Sequence, residues 1–234
     1  MKKKMTIGVL GGMGTFATIH FFQQYASVFK AEKEWERPRI IIDNRCTMPS
    51  RVRAFLYDEN TDQLVDEMVD SIKSLVNAGA DKIILACNTS HIFIPKIEEK
   101  FPQAKGMIIN IIENCSQKIL EDSIDEVYLL GSEGTIESGV YQTILEESGI
   151  RCLVPEEEQY KILRDCIEAV KQHSYSEDIE SKFLSLINAN SICILGCTEL
   201  PILYERYFDK ISCEKVYDPL LLVLDKLKEE FINE

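Results

Sequence analysis

Lys82-Ile83-Ile84-Leu85-Ala86-Cys87-Asn88-Thr89-Ser90-His91 and Ser191-Ile192-Cys193-Ile194-Leu195-Gly196-Cys197-Thr198-Glu199-Leu200-Pro201 decide how this chain folds. Each begins with a short, continuously apolar, isoleucine-rich run. Such a run is too short for a helix and reads as a buried parallel strand. Each run stops at a cysteine followed by Asn-Thr or Thr-Glu. Open α/β sheets bind their ligands beyond the carboxyl ends of the strands, where these cysteines fall. Two of them in matching contexts imply one pocket with a thiol on either side.

Outward from these stretches the chain repeats itself. Leu10-Gly11-Gly12-Met13-Gly14-Thr15 and Leu130-Gly131-Ser132-Glu133-Gly134-Thr135 share the pattern L-G-x-x-G-T, and each follows a strand-like run. Arg51 stands 36 residues before Cys87, and Lys161 stands 36 residues before Cys197. A duplicated unit of strand, glycine loop, helix, strand, helix, strand and cysteine loop accounts for all three matches, and internal repetition outranks local assignments of structure. The expected strands are 5–10, 39–43, 82–85, 107–109, 127–130, 151–154 and 191–195. The expected helices are 15–33, 61–78, a short one containing Pro95, 111–120, 136–148, 157–172, 177–189 and 219–231. Between the second strand and the helix at Thr61, residues 44–60 read as a polar loop turning at Met48-Pro49-Ser50. The 61–78 helix carries Leu64, Val65, Met68, Val69, Ile72, Leu75 and Val76 at helical spacing and closes at Gly79. Strands alternating with helices predict an α/β protein with parallel sheets. Its two similar lobes are expected at 1–100 plus 206–234 and at 101–205, with the site in the cleft between them and the terminal helix packed back on the first lobe.

Composition narrows the function. With 234 residues and 45% apolar content the chain can bury an ordinary globular core. A net charge of −13 argues against nucleic acid, whose phosphates call for clustered Lys and Arg. The only basic run, Lys2-Lys3-Lys4, precedes an apolar stretch broken at once by glycines, which is not a signal peptide. No apolar run approaches the roughly 18 residues of a membrane span. Eight cysteines without a targeting segment suggest free thiols in a reducing, cytoplasmic setting. No C-x-x-C pair points to a structural zinc site.

Of the cysteines, Cys115, Cys152, Cys166, Cys193 and Cys213 fall on expected helices or strands and read as packing or surface residues, while Cys46 lies in the loop near Arg51. Cys87 and Cys197 sit in loops where a thiolate can be favoured by helix N-termini or cations. Arg51 and Lys161, one from each half, could supply positive potential to an acidic chain that binds an anion. His91 and Glu199 lie close enough in sequence to their cysteines to tune them or relay protons, and His91 reads equally well as a packing residue. Gly12-Met13-Gly14-Thr15-Phe16-Ala17 after a strand, with Asp43 ending the next one, also fits a dinucleotide fingerprint. The recurrence of that loop beside the second cysteine speaks against it, and the glycine loops read instead as walls of an anion pocket.

Taken together, Ile7-Gly8-Val9-Leu10-Gly11-Gly12-Met13-Gly14-Thr15 with Ala17-Thr18, Met48-Pro49-Ser50-Arg51, Ala86 to His91, Gly134 to Tyr141 (G-T-x-x-S-G-x-Y) and Gly196 to Pro201 resemble the cofactor-independent aspartate/glutamate racemases over nearly the whole chain. Glu199 in place of the histidine of glutamate racemases resembles the aspartate branch. The resemblance implies an isomerase without pyridoxal phosphate, cofactor or metal. Cys87 and Cys197 would exchange the Cα proton on opposite faces, Cys197 deprotonating the L-enantiomer and Cys87 the D-enantiomer. It implies that Asn88, Thr89 and Thr198 hold the α-carboxylate and that Arg51 and Lys161 face the distal one. Met13, Thr15, Thr135 and Glu199 complete the expected substrate site. The partner would be a small acidic amino acid, aspartate or glutamate, and the assembly a homodimer. Two other readings stay open at this point, a maleate cis–trans isomerase and a non-catalytic protein that binds acidic amino acids.

Overall fold

The computed structural model describes residues 5–233, so the Lys2–Lys4 run lies outside it. In the first half, strand β1 (Thr6–Gly11) leads into helix α1 (Thr15–Val28), β2 (Arg39–Asn44), the short α2 (Arg51–Tyr57), α3 (Thr61–Asn77), β3 (Lys82–Leu85), α4 (Ile94–Lys100) and α5 (Ile111–Glu121). The second half follows with β4 (Glu126–Gly131), α6 (Glu133–Glu137), α7 (Val140–Glu147), β5 (Arg151–Leu153), α8 (Glu157–Lys171), α9 (Glu177–Ile187), β6 (Ile192–Gly196), α10 (Leu200–Arg206), β7 (Lys215–Tyr217) and α11 (Pro219–Asn233). The strands form two parallel sheets, ordered β2-β1-β3 and β5-β4-β6-β7. The α/β fold expected from the alternation of elements is therefore present. So is the repeat, because β1 and β4 hold the same central place in their sheets.

Side-chain alternation on the first sheet divides the interior. Ile7, Val9 and Ile84 join the core formed with α1, α5, α11 and the second lobe, whereas Leu10, Ile83 and Leu85 face the smaller core under α3. There the expected stripe of α3 is buried, with Leu64, Met68 and Ile72 wholly removed from solvent. Each such side chain contributes about 1.5–3 kcal/mol of burial. Helix α11 packs on α1 and α5 as expected, with Phe231 edge-on to Phe29.

Several features differ from expectation. The strand expected at 107–109 reduces to a single bridge at Ile108, the first helix ends at Val28, and α10 and β7 are additional elements. The segment read as a polar loop contains α2, capped by the Ser50 hydroxyl accepting from the Arg53 N–H. The single helix expected at 136–148 is interrupted at Gly139, whose φ of +66° separates α6 from α7. The division of the lobes also shifts. Tyr217 and its neighbours, assigned with 206–234 to the first lobe, pair as β7 with β6 of the second sheet, and Ile108, assigned to the second lobe, bridges to Ile83 of the first. Each sheet thus gains a fourth edge segment, and the helix after it crosses over: α5 packs on α7, and α11 on α1. The expected division already returned α11 to the first lobe; it did not anticipate that β7 stays with the second sheet or that Ile108 extends the first.

Asp122, just after α5, ties the exchange together. Its carboxylate accepts from Lys118 and, at 2.6 Å and 2.9 Å, from Lys215 Nζ and the Tyr217 hydroxyl of β7. The Lys118 and Lys215 hydrogen bonds hold its carboxyl well below the usual carboxylate range. Asp122→Ala leaves these donors unpaired and should lower unfolding free energy by about 1–3 kcal/mol, read by urea denaturation.

Candidate active site

The carboxyl ends of the central strands bring four loops together. Cys87 follows β3 after one residue, and its backbone N–H closes back on the Leu85 carbonyl at 2.8 Å. Cys197 follows β6 directly, and its carbonyl accepts the N–H of Leu200 at the start of α10. The register of the sheets, Leu10 beside Leu85 and Gly131 beside Gly196, sets each glycine loop next to a cysteine loop. Between the lobes lies a cavity of about 60 Å³. Cys87, Asn88, Thr89, Cys197, Thr198 and Glu199 line it, and Met13 and Arg51 complete the set of expected residues that it gathers.

Contacts across the lobes close this cavity. Thr89 Oγ1 lies 2.8 Å from Thr135 Oγ1 and 3.0 Å from Ser132 Oγ, so three hydroxyls join the first cysteine loop to the second glycine loop. A β-carbon at Gly134 would come within 3.2–3.4 Å of Val52 and Thr89. On the other side, a β-carbon at Gly14 would stand 2.5 Å from Glu199 Oε1. Both glycines are bare so that the opposite lobe can approach.

Glu199 is 1% exposed, yet its carboxylate has few partners. Oε2 accepts from the Cys197 thiol at 3.1 Å and from the Thr198 hydroxyl at 3.2 Å, and Oε1 has none. Burial first, and then the Glu199 charge and hydrogen bond, push the Cys197 thiol well above its ordinary range, while Lys171 pulls it the other way. The resting Cys197 is therefore a protonated thiol whose proton already faces a carboxylate.

Two expected residues stand outside the cavity and a third sits behind it. Lys161 is exposed in the first turns of α8, beside Tyr57 and Glu157 in an outer groove. The cation that joins Arg51 at the cavity is Lys171, at the far end of the same helix. Equal spacing from the cysteines misleads here because Arg51 opens a helix of 7 residues, whereas Lys161 lies near the start of one of 15. Burial works against the Lys171 ammonium, but its 2.8 Å hydrogen bond to Glu168 and the nearby Glu199 and Cys197 outweigh that and raise its pKa. Thr15 is exposed, lies outside the cavity and accepts from the Asn44 amide at the end of β2. Thr135 is fully buried behind Thr89. Arg51 lines the cavity with Nη1 and Nη2 donating to the Pro49 and Met13 carbonyls, and its buried Nε is unpartnered. Sequence reading missed Lys171, Ser132 and Val52; the last two adjoin residues it had singled out, and only the length of α8 could have pointed to Lys171.

His91 resolves to the packing reading. It is 4% exposed, its Nδ1 lies 3.0 Å from the Cys87 carbonyl, and its Nε2 accepts from the Ile111 N–H at the start of α5. The proton is therefore on Nδ1, and the ring is neutral, with burial pulling its pKa down to about 4. It braces the Cys87 loop against α5. Among the described residues, no group of three or more His, Cys, Asp or Glu side chains is arranged to hold a metal ion, and no helix is long and apolar enough to cross a membrane.

Comparison with known proteins agrees with this architecture. The Asp/Glu/hydantoin racemase family model matches residues 10–226, and the chain belongs to that family of isomerases. The broad-specificity amino-acid racemase RacX of Bacillus subtilis is 26% identical over 204 residues, 83% of this chain and 85% of RacX. A glutamate racemase of Aquifex aeolicus is 27% identical over 68% of this chain and 62% of its own length. Among solved structures, the aspartate racemase of Picrophilus torridus superposes with a TM-score of 0.81 at 25% identity, covering 97% of this chain and 98% of that one.

Two outcomes follow from this geometry. Gly14→Ala should push Glu199 away from Cys197, lower the thiol pKa and speed iodoacetamide labelling of Cys197 at pH 8 several-fold by peptide mass spectrometry; an unchanged rate contradicts the contact. The second concerns His91, whose folded pKa lies below its unfolded value near 6.5. Its neutral form costs nothing above that pH, and the penalty grows as pH falls through 6.5 toward 4. Relative to wild type, His91→Gln should therefore gain about 3 kcal/mol between pH 7 and pH 4 in urea titrations.

Proposed function

We propose that this chain racemises an acidic amino acid, aspartate first, by proton transfer between Cys87 and Cys197 without a cofactor. The observation that carries the reading is that the two cysteines, one from each lobe, line the same small cavity together with Asn88, Thr89, Thr198 and Lys171. An amino-acid Cα–H is a weak acid, so the site must stabilise negative charge where it develops. Asn88 and Thr89, with the backbone N–H groups beside Thr198, supply donors for the α-carboxylate, and Lys171 with Arg51 supplies positive charge for the distal one. The thiolate of one cysteine takes the Cα proton, and the C–H electron pair passes into the carboxylate as an enediolate. The thiol of the other cysteine then protonates the opposite face. In the L to D direction Cys197 acts as the base, and Glu199 is placed to accept its thiol proton beforehand. In the reverse direction the same thiol is already the acid. Aspartate is placed before glutamate by the acidic residue at position 199, where the glutamate racemases carry histidine. The reading also takes the protein to be a homodimer and, in keeping with its eight free thiols, cytoplasmic.

The test is chiral chromatography of the reduced protein with L-aspartate, D-aspartate, L-glutamate and maleate, no cofactor added. Interconversion of the aspartate enantiomers is expected, and Cys87→Ala and Cys197→Ala should each reduce it by at least about 10³-fold. Fumarate formed from maleate without racemisation would make the enzyme a maleate isomerase. Aspartate binding without turnover would make the chain a binding protein.

A further inference from the structure

Tyr141, on α7 of the second lobe, has no solvent exposure, and its hydroxyl lies 2.5 Å from Asn88 Oδ1 in the first cysteine loop. Among the described residues the phenol makes no other hydrogen bond. A buried phenol has one proton to place, so the hydroxyl donates and the Asn88 oxygen accepts. Burial pushes the Tyr141 pKa well above its ordinary value, which keeps that proton in place. The other end of the same amide is different. Asn88 is 2% exposed and lines the cavity with Cys87 and Cys197, and its Nδ2 is buried with no partner.

An amide has two orientations of nearly identical shape but opposite polarity. Turned over, Asn88 would aim a lone-pair oxygen at the place where a carboxylate binds and would leave the phenolic proton without an acceptor. We propose that Tyr141 is a positioning residue: its hydroxyl pins the Asn88 oxygen, so that the Asn88 NH2 is held toward the cleft as a donor to the substrate carboxylate. The value of such a donor lies in being fixed before charge develops on the enediolate, since no reorientation is then needed during the reaction. The assignment of the ligand rests on the racemase reading, whereas the pinning of the amide does not.

Two measurements on the full chain separate these parts. In the ligand-free protein, the side-chain amide signals of Asn88, identified by their loss in Asn88→Ala, should be one sharp pair in a ¹⁵N correlation spectrum. In Tyr141→Phe, which keeps the ring in place, they should broaden or double as the amide turns over. An unchanged pair in Tyr141→Phe overturns the pinning, whatever the protein catalyses. The second measurement is a kinetic cycle on aspartate racemisation. Tyr141→Phe should lower kcat/KM about tenfold, mostly through kcat, and should have no further effect in the Asn88→Ala background. An equal loss in both backgrounds, or wild-type kcat in Tyr141→Phe, overturns the positioning role. A wild-type protein inactive on every amino acid, but with the expected amide signals, would refute the racemase reading and leave the pinning standing.

Discussion

Everything at the candidate site depends on two backbones approaching without side chains. Gly14 lets the Glu199 carboxylate of the opposite lobe press against its α-carbon, and Gly134 does the same for Val52 and Thr89. A methyl group at Gly14 would displace the Glu199 carboxylate, and one at Gly134 would press on Val52 and Thr89. The duplicated L-G-x-x-G-T loops are therefore the reciprocal surfaces on which the two halves close, each receiving the cysteine loop of the other half. The exchange of α5 and α11 between the lobes serves the same end at a larger scale, since it makes a single core run through both sheets.

Closure explains the electrostatics. A carboxylate as buried as Glu199 is costly unless it is engaged, and here it is engaged by a thiol and a hydroxyl, with Lys171 nearby. The same burial that penalises the Cys197 thiolate makes it a strong base once it forms, and the carboxylate beside it gives the displaced proton a destination. The first half places neutral groups, Asn88, Thr89 and His91, around Cys87 instead. The repeat thus conserves the geometry of the site while the chemistry on its two sides diverges, which suits an enzyme whose substrate has two unlike faces.

Much of this was legible in the sequence. Continuous apolar runs such as Ile83-Ile84-Leu85 admit few alternatives to a buried parallel strand, and the period in α3 gave the apolar part of its buried face, Leu64 to Leu75. The paired cysteine loops, and the closeness of Asn88, Thr89, Thr198 and Glu199 to them, followed from position beyond the strand ends. Helix α2 was hidden because it has only 7 residues, so its apolar spacing of Val52, Phe55 and Leu56 covers a single turn and establishes no period. Equal separation from the cysteines pointed to Lys161 and passed over Lys171, because separation in sequence does not measure position along helices of different length. The choice between the two readings of His91 could not be made from the sequence, because its packing role rests on two backbone partners, Cys87 and Ile111, that meet only in the folded chain.

The most direct test of two thiols acting on opposite faces follows solvent deuterium early in the conversion of L-aspartate in D₂O. If one cysteine removes the proton and the other returns one, the D-aspartate formed carries deuterium at Cα while the remaining L-aspartate does not. Deuterium entering both enantiomers at equal rates from the start would mean a single base serving both faces, and would contradict the account.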